Sequence, residues 1–194
     1  MRHLIVFNPG AGKNNERAES FRNQISSSFA GLDHDVYETE GPRSVIPFLK
    51  KYLKEQKDTV RVYACGGDGT VHEVANALVG AKNAELAIYP AGTGNDFVKT
   101  YGVTNEEIEK YRNFESLING QPVEVDLSKL SGGNLEEPMY SINVINFGFD
   151  AIVGARGNYY KENGFPKKVK EGTNPYDYAL KNDAMKYGRF NPKP

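Results

Sequence analysis

Three glycine-containing loops hold the residues best suited to chemistry: Asn8-Pro9-Gly10-Ala11-Gly12-Lys13, Gly66-Gly67-Asp68-Gly69-Thr70 and Pro90-Ala91-Gly92-Thr93-Gly94-Asn95-Asp96-Phe97. A phosphate needs backbone N–H donors, no Cβ in the way of close approach, and positive charge nearby. The first loop offers all three, with Lys13 as the cation. It is not a Walker A loop, because that pattern needs Gly and Ser or Thr where this chain has Phe7 and Asn14. Taken alone it is equally a glycine-rich turn. In the second loop Asp68 is the only charge, at the start of a helix whose dipole favours anions. An Asp there repels a phosphate unless a cation or a reacting hydroxyl stands between them, which points to Mg²⁺-linked phosphate chemistry. The plainer reading makes Asp68 a turn-stabilising residue and Thr70 a helix cap. Asp68 is expected to carry little packing, so Asp68→Asn should change stability by only about 0.5 kcal/mol. In the third loop Gly92 and Gly94 bracket the hydroxyl of Thr93, and Asn95-Asp96 can cap the next helix.

The elements that must position these loops follow from hydrophobic periodicity. His3–Phe7 reads as a buried strand, and Ala18, Phe21, Ile25 and Phe29 mark a helix over Asn15–Phe29. Asp35–Glu38 is a second strand, and Val45, Phe48, Leu49 and Tyr52 line a second helix. Thr59–Cys65 and Glu85–Tyr89 are the third and fourth strands. Thr70-Val71-His72-Glu73 forms a capping-box pattern ahead of the inner face Val71, Val74, Ala75 and Leu78, and Thr104 with Glu107 opens a helix over Thr104–Ile118. This alternation predicts an α/β domain, a Rossmann-like parallel sheet with helices on both faces. In such a sheet the three loops converge on the carboxyl rim, where ligands bind. After Pro122 the pattern changes: Val123–Leu127 and Met139–Phe147 flank the turn-like Ser131-Gly132-Gly133-Asn134, which predicts a hairpin opening a β-rich region. The expected division is residues 1–122 as the α/β domain that carries the loops and 123–194 as the start of a β-rich region.

Composition narrows the classes. Hydrophobic residues make up 39%, enough for a real core, so disorder is not the default reading. The net charge of −1 offers no global field for nucleic acid. The lone Cys65 lies in an apolar run and reads as a core residue in a reducing compartment. No window approaches the ~20 apolar residues of a membrane span, and the N-terminus has no signal-peptide pattern, so the expected location is cytoplasmic with at most peripheral membrane contact. Residues 155–194 hold nine Lys or Arg against four Asp or Glu and read as a solvated basic surface.

The three loops in order, with Glu73 and Asn76 after the second, Val125-Asp126-Leu127, and Asn146-Phe147-Gly148-Phe149-Asp150-Ala151, resemble the catalytic domain of diacylglycerol kinases. Bacterial soluble lipid kinases and sphingosine kinases share the pattern, which covers roughly residues 3–153. NAD kinases share Gly66–Thr70, whereas the Gly-Thr-Gly-Asn-Asp-Phe loop favours the lipid kinases. The resemblance implies a Rossmann-like, nucleotide-binding first domain over 1–122, a β-rich, lipid-binding second domain that starts at 123, and ATP with Mg²⁺ in the cleft. It implies Asn8, Gly12, Lys13, Gly66, Gly67, Gly69 and Thr70 at the nucleotide, Thr39 near the nucleoside, and Gly92, Thr93 and Gly94 at the phosphates. Asp68, Asp96 and Asp126 would form the acidic Mg²⁺ network, with Asp68 the catalytic candidate. The acceptor would be diacylglycerol or a related lipid at the membrane surface.

The family continues for about another domain's length and carries a late Asp-Gly-Glu whose Glu is the proposed general base. No Asp-Gly-Glu occurs in this sequence. The chain is therefore expected to be the nucleotide-binding half of a lipid kinase without the half that completes the active site, and exposed strand edges favour a homodimer. An NAD kinase-like enzyme and a non-catalytic nucleotide-binding remnant are the two other readings of the same residues.

Overall fold

The computed structural model describes residues 1–11, 15–104 and 106–184. Four strands, β1 (Arg2–Phe7), β2 (His34–Glu38), β3 (Val60–Gly66) and β4 (Ala84–Pro90), form a parallel sheet in the order β2-β1-β3-β4. Continuous apolar runs suit this arrangement, because a strand covered on both faces buries every side chain. All seven residues of β3 are buried.

Helices α1 (Asn15–Ser28), α2 (Val45–Glu55), α3 (Asp68–Leu78), α4 (Asp96–Lys99) and α5 (Phe114–Asn119) complete this part of the chain. Alternate strand residues sort into two cores. Leu4, Val6, Val62 and Ala64 pack with Val45, Leu49 and Leu53 of α2 and Val71 and Val74 of α3. Ile5, Phe7, Tyr63 and Cys65 pack with Phe21, Ile25, Phe29 and Phe114 on the α1 and α5 side. Cys65 is fully enclosed there, and burial pushes its thiol well above the ordinary value. The α/β fold with helices on both faces is as the sequence predicts.

Two local expectations fail. The helix over Thr104–Ile118 is, among the described residues, a 3₁₀ turn at Ile108–Tyr111 followed by α5. Asn113 breaks it: its side-chain oxygen accepts the Ser116 N–H at 3.1 Å and starts a new helix. The strand expected at Val123–Leu127 does not form, and Val123 and Val125 are exposed. The small antiparallel sheet comes later, as β5 (Ser128–Leu130) paired with β6 (Met139–Ser141), with Lys129 opposite Tyr140.

The chain divides into two compact units, residues 1–144 and 145–194. In the second, α6 (Phe149–Asn163) packs on α7 (Pro175–Ala179). Gly157 meets the Tyr176 ring with no room for a Cβ, and Tyr160 donates to Asp183 at 2.5 Å.

Candidate functional site

The carboxyl ends of β1, β3 and β4 are neighbours in the sheet, so the loops that leave them share one rim. Asn8 follows β1. Its backbone N–H donates to Cys65 O at 3.0 Å, its side-chain oxygen accepts Gly10 N–H at 2.9 Å, and its amide donates to the Thr70 hydroxyl at 3.2 Å. Two adjacent strand ends are thereby tied together. The expected ligands Gly12 and Lys13 lie outside the described residues.

The loops after β3 and β4 interlock. Gly66 O accepts the N–H groups of Ala91 and Gly92 at 2.9 and 3.1 Å. A Cβ on Gly67 would stand 3.2 Å from Gly92 Cα, and one on Gly92 would overlap Gly67 Cα. A Cβ on Gly94 would overlap Asp68 Oδ2, and one on Gly66 would lie 2.6 Å from Thr70 Cβ. Gly67 and Gly92 are therefore glycine because backbone packs on backbone, and Gly66 and Gly94 because the Thr70 and Asp68 side chains occupy their Cβ positions. Gly69 differs: among the described residues nothing lies within 4 Å of its would-be Cβ. Gly67 stands at the N-cap of α3 and, lacking a side chain, leaves the first-turn amides without a side-chain cap among the described residues.

Asp68 bridges the two loops. Its Oδ2 accepts Asn95 N–H at 2.9 Å and its Oδ1 accepts Asp96 N–H at 2.7 Å. The expectation that Asp68 carries little packing is therefore corrected. Asn95, 6% exposed, takes φ 54°, and its side chain closes the loop on itself, accepting Gly92 N–H at 3.0 Å and donating to Gly92 O at 2.8 Å. Arg112 donates from Nε to Pro90 O at 2.7 Å and pins the base of the same loop. Thr93 is exposed at its tip. Thr39 continues the ladder of β2 (His34–Glu38) onto β1 by donating its N–H to Phe7 O at 2.9 Å. Asp126 is exposed, and no hydrogen bond or ion pair ties it to Asp68 or Asp96 among the described residues.

The capping box at Thr70–Glu73 does not close. The helix begins at Asp68, the Thr70 hydroxyl serves Asn8, and the Glu73 carboxylate reaches the amides of Arg43 and Val45 at 2.8 and 3.3 Å. Asn76, a turn further on, pairs with both backbone groups of Tyr140 in β6, donating at 2.7 Å and accepting at 2.8 Å. Sequence reasoning gave Glu73 and Asn76 no site role of their own. Their signal was a polar residue repeating along one helix.

These features define an α/β domain whose site is a set of glycine loops on the carboxyl rim of a parallel sheet. Residues 2–130 match the diacylglycerol kinase catalytic domain, and the chain belongs to that family of lipid kinases. It is 27% identical over 151 residues to a diacylglycerol kinase of Bacillus subtilis (strain 168), covering 76% of this chain and 46% of that one. A diacylglycerol kinase of Staphylococcus aureus (strain MRSA252) is 27% identical over 187 residues, covering 95% of this chain and 53% of the other. The chain thus spans about half the length of these relatives. A crystal structure of a diacylglycerol kinase from Bacillus anthracis str. Sterne aligns at 28% identity with a TM-score of 0.44, over 57% of this chain and 40% of that one. No helix among the described residues is long and apolar enough to cross a membrane.

Proposed function

We propose that the chain binds MgATP across its three loops and serves a lipid kinase that transfers the γ-phosphate to the hydroxyl of diacylglycerol or a related lipid. One observation carries this reading. Gly66, Gly67, Gly92 and Gly94 are locked together, while the Gly69 side of the same loop is open beside the uncapped start of α3. A helix start with free amides and no side chain in front of them receives phosphate oxygens. On this reading Asn8, Gly12, Lys13, Thr39, Gly66, Gly67, Gly69, Thr70, Gly92, Thr93 and Gly94 line the nucleotide, with Thr39 toward the nucleoside.

Mg²⁺ takes one or two carboxylates and completes its octahedron with water and phosphate oxygens. Among the described residues no group of three or more His, Cys, Asp or Glu could hold an ion unaided. Asp68 accepts one N–H on each oxygen and keeps further lone pairs, so it fits an ion shared with phosphate, with the neighbouring Asp96 as a further carboxylate, while Asp126 enters this set only through the family resemblance. When bound, the ion offsets charge on the phosphate oxygens. The two amides fix the orientation of the Asp68 carboxylate, which as the catalytic candidate would take the proton of the lipid hydroxyl. A homodimer and a peripheral contact of a cytoplasmic protein with the membrane belong to the same proposal.

Calorimetry with MgATP, and separately with NAD, tests the ligand. Binding of MgATP is expected, and silence at millimolar MgATP overturns the proposal. Transfer is tested with radiolabelled ATP and diacylglycerol in mixed micelles. Phosphatidic acid that disappears in Asp68→Asn supports the kinase reading, whereas phosphorylated NAD supports an NAD kinase. Binding without transfer to either acceptor is the outcome expected of a nucleotide-binding half on its own and of a non-catalytic nucleotide-binding protein alike.

A further inference from the structure

Four polar side chains of α3 reach partners outside their own helix. Asp68 holds the loop after β4, Thr70 the loop after β1 and Asn76 the β6 strand. Glu73 holds the remaining rim segment, the turn between β2 and α2. Its Oε1 accepts Arg43 N–H at 2.8 Å and its Oε2 accepts Val45 N–H at 3.3 Å. That turn is under strain. Arg43 has φ 66°, a left-handed conformation that costs a side-chain-bearing residue energy and persists only where its surroundings enforce it.

The turn lacks a cap of its own. Ser44 is the N-cap of α2 but makes no side-chain cap, because its hydroxyl donates to Gly41 O at 2.8 Å. The carboxylate of Glu73 takes that place, where the helix dipole favours a negative charge. At the other end of the segment Thr39 N–H is fastened to Phe7 O at 2.9 Å. Residues 40–44 are therefore anchored on β1 at one end and on α3 at the other. The same helix places Asp68, Gly69 and Thr70.

We infer that Glu73 is a positioning residue of the nucleotide site. It touches no nucleotide; it fixes the turn at 41–44, and with it Thr39, relative to Asn8 and Gly66–Thr70. This rests on the reading that the three loops bind MgATP with Thr39 toward the nucleoside. The part of the ligand that senses Glu73 is then the nucleoside, while the phosphates are held by loops Glu73 does not contact.

The test combines calorimetry with amide hydrogen exchange on wild type, Glu73→Ala and Glu73→Gln. MgATP and magnesium tripolyphosphate, which lacks the nucleoside, are the two ligands. Glu73→Ala should speed exchange at Arg43 and Val45 and weaken MgATP about tenfold, the scale of one or two lost hydrogen bonds. Tripolyphosphate should bind as in wild type. Glu73→Gln keeps one acceptor oxygen and should recover part of the MgATP affinity. Unchanged MgATP affinity despite faster exchange at Arg43 overturns the inference. So does an equal loss for both ligands, which marks a general structural effect. A wild type that binds neither ligand overturns the nucleotide reading itself, a result distinct from either of these.

Discussion

Replacing Gly92 by Ala tests whether the contact between the β3 and β4 loops fixes the site. The added Cβ would overlap Gly67 Cα and stand 3.1 Å from both Gly67 N and Asn95 Oδ1. Tolerating it in place is overpacking against backbone, which costs about 1–3 kcal/mol. Escaping it by parting the loops loosens the two hydrogen bonds to Gly66 O, each worth about 0.5–1.5 kcal/mol. Either route leads to a loss of roughly 1–3 kcal/mol, and for a chain of this length a fall in Tm of about 2–12 °C. Gly69→Ala is the matched control. Its Cβ meets nothing within 4 Å and lies in the first turn of α3. There Ala should be neutral or stabilising by about 0.4–1 kcal/mol. Thermal and urea unfolding separate the two variants. Gly69→Ala should nevertheless weaken MgATP, because its methyl occupies the open approach. Gly92→Ala melting with wild type would refute the reasoning: the loops would then part at no cost.

Three further outcomes follow from the same geometry. Asp68→Asn should cost about 1–3 kcal/mol in urea unfolding, since an amide cannot accept N–H bonds on both of its polar atoms as the carboxylate does for Asn95 and Asp96; a cost near zero would return Asp68 to a free loop residue. Asn76→Ala should release β5–β6 from α3, giving fast hydrogen exchange at Tyr140 and a loss of about 1–3 kcal/mol, while a protected Tyr140 amide would show that the hairpin is held elsewhere. Burial, with the Arg61 guanidinium nearby, holds the His3 imidazole below its ordinary value of 6.5, where it pairs with the Tyr63 hydroxyl at 2.8 Å. The unfolded chain binds this proton near 6.5 and the folded one only at lower pH, so stability should be flat above that value and fall below it. His3→Gln should remove that component from urea titrations at several pH values.

The alternation of strands and helices was legible because burial on both faces leaves continuous apolar runs in the strands and three-to-four spacing in the helices. The site glycines were legible too, but for a mixed reason. Gly66, Gly67, Gly92 and Gly94 were read as room for a ligand, and their Cβ positions are filled by protein. The polar residues of α3 show the limit most clearly. Thr70 and Glu73 match the capping pattern as well as Thr104 and Glu107 do. Only the second pair closes, with Glu107 accepting from Thr104 N–H at 3.2 Å and from its hydroxyl at 3.1 Å. The difference lies in distant partners: Thr70 has Asn8 and Glu73 has Arg43, and no local window contains them. Asp68 was singled out by its type and neighbours, yet its bond to a loop beginning at the end of β4 appears only once β3 and β4 are side by side.

The strand order has a consequence for biosynthesis. β1 lies between β2 and β3, so it is made before both of its neighbours. Once Glu38 has been added, β1 can pair with β2, but its other edge stays open until Gly66 has been made, roughly 30 residues later. At ribosomal rates of about 5–20 residues per second this interval lasts roughly 1.5–6 s. During it the backbone edge of Leu4–Phe7, which ends in the core, is presented to whatever the nascent chain meets. A trigger-type chaperone that covers an apolar strand for a few seconds would suit this order of events, and moving β3 ahead of β1 by circular permutation would shorten the need for it.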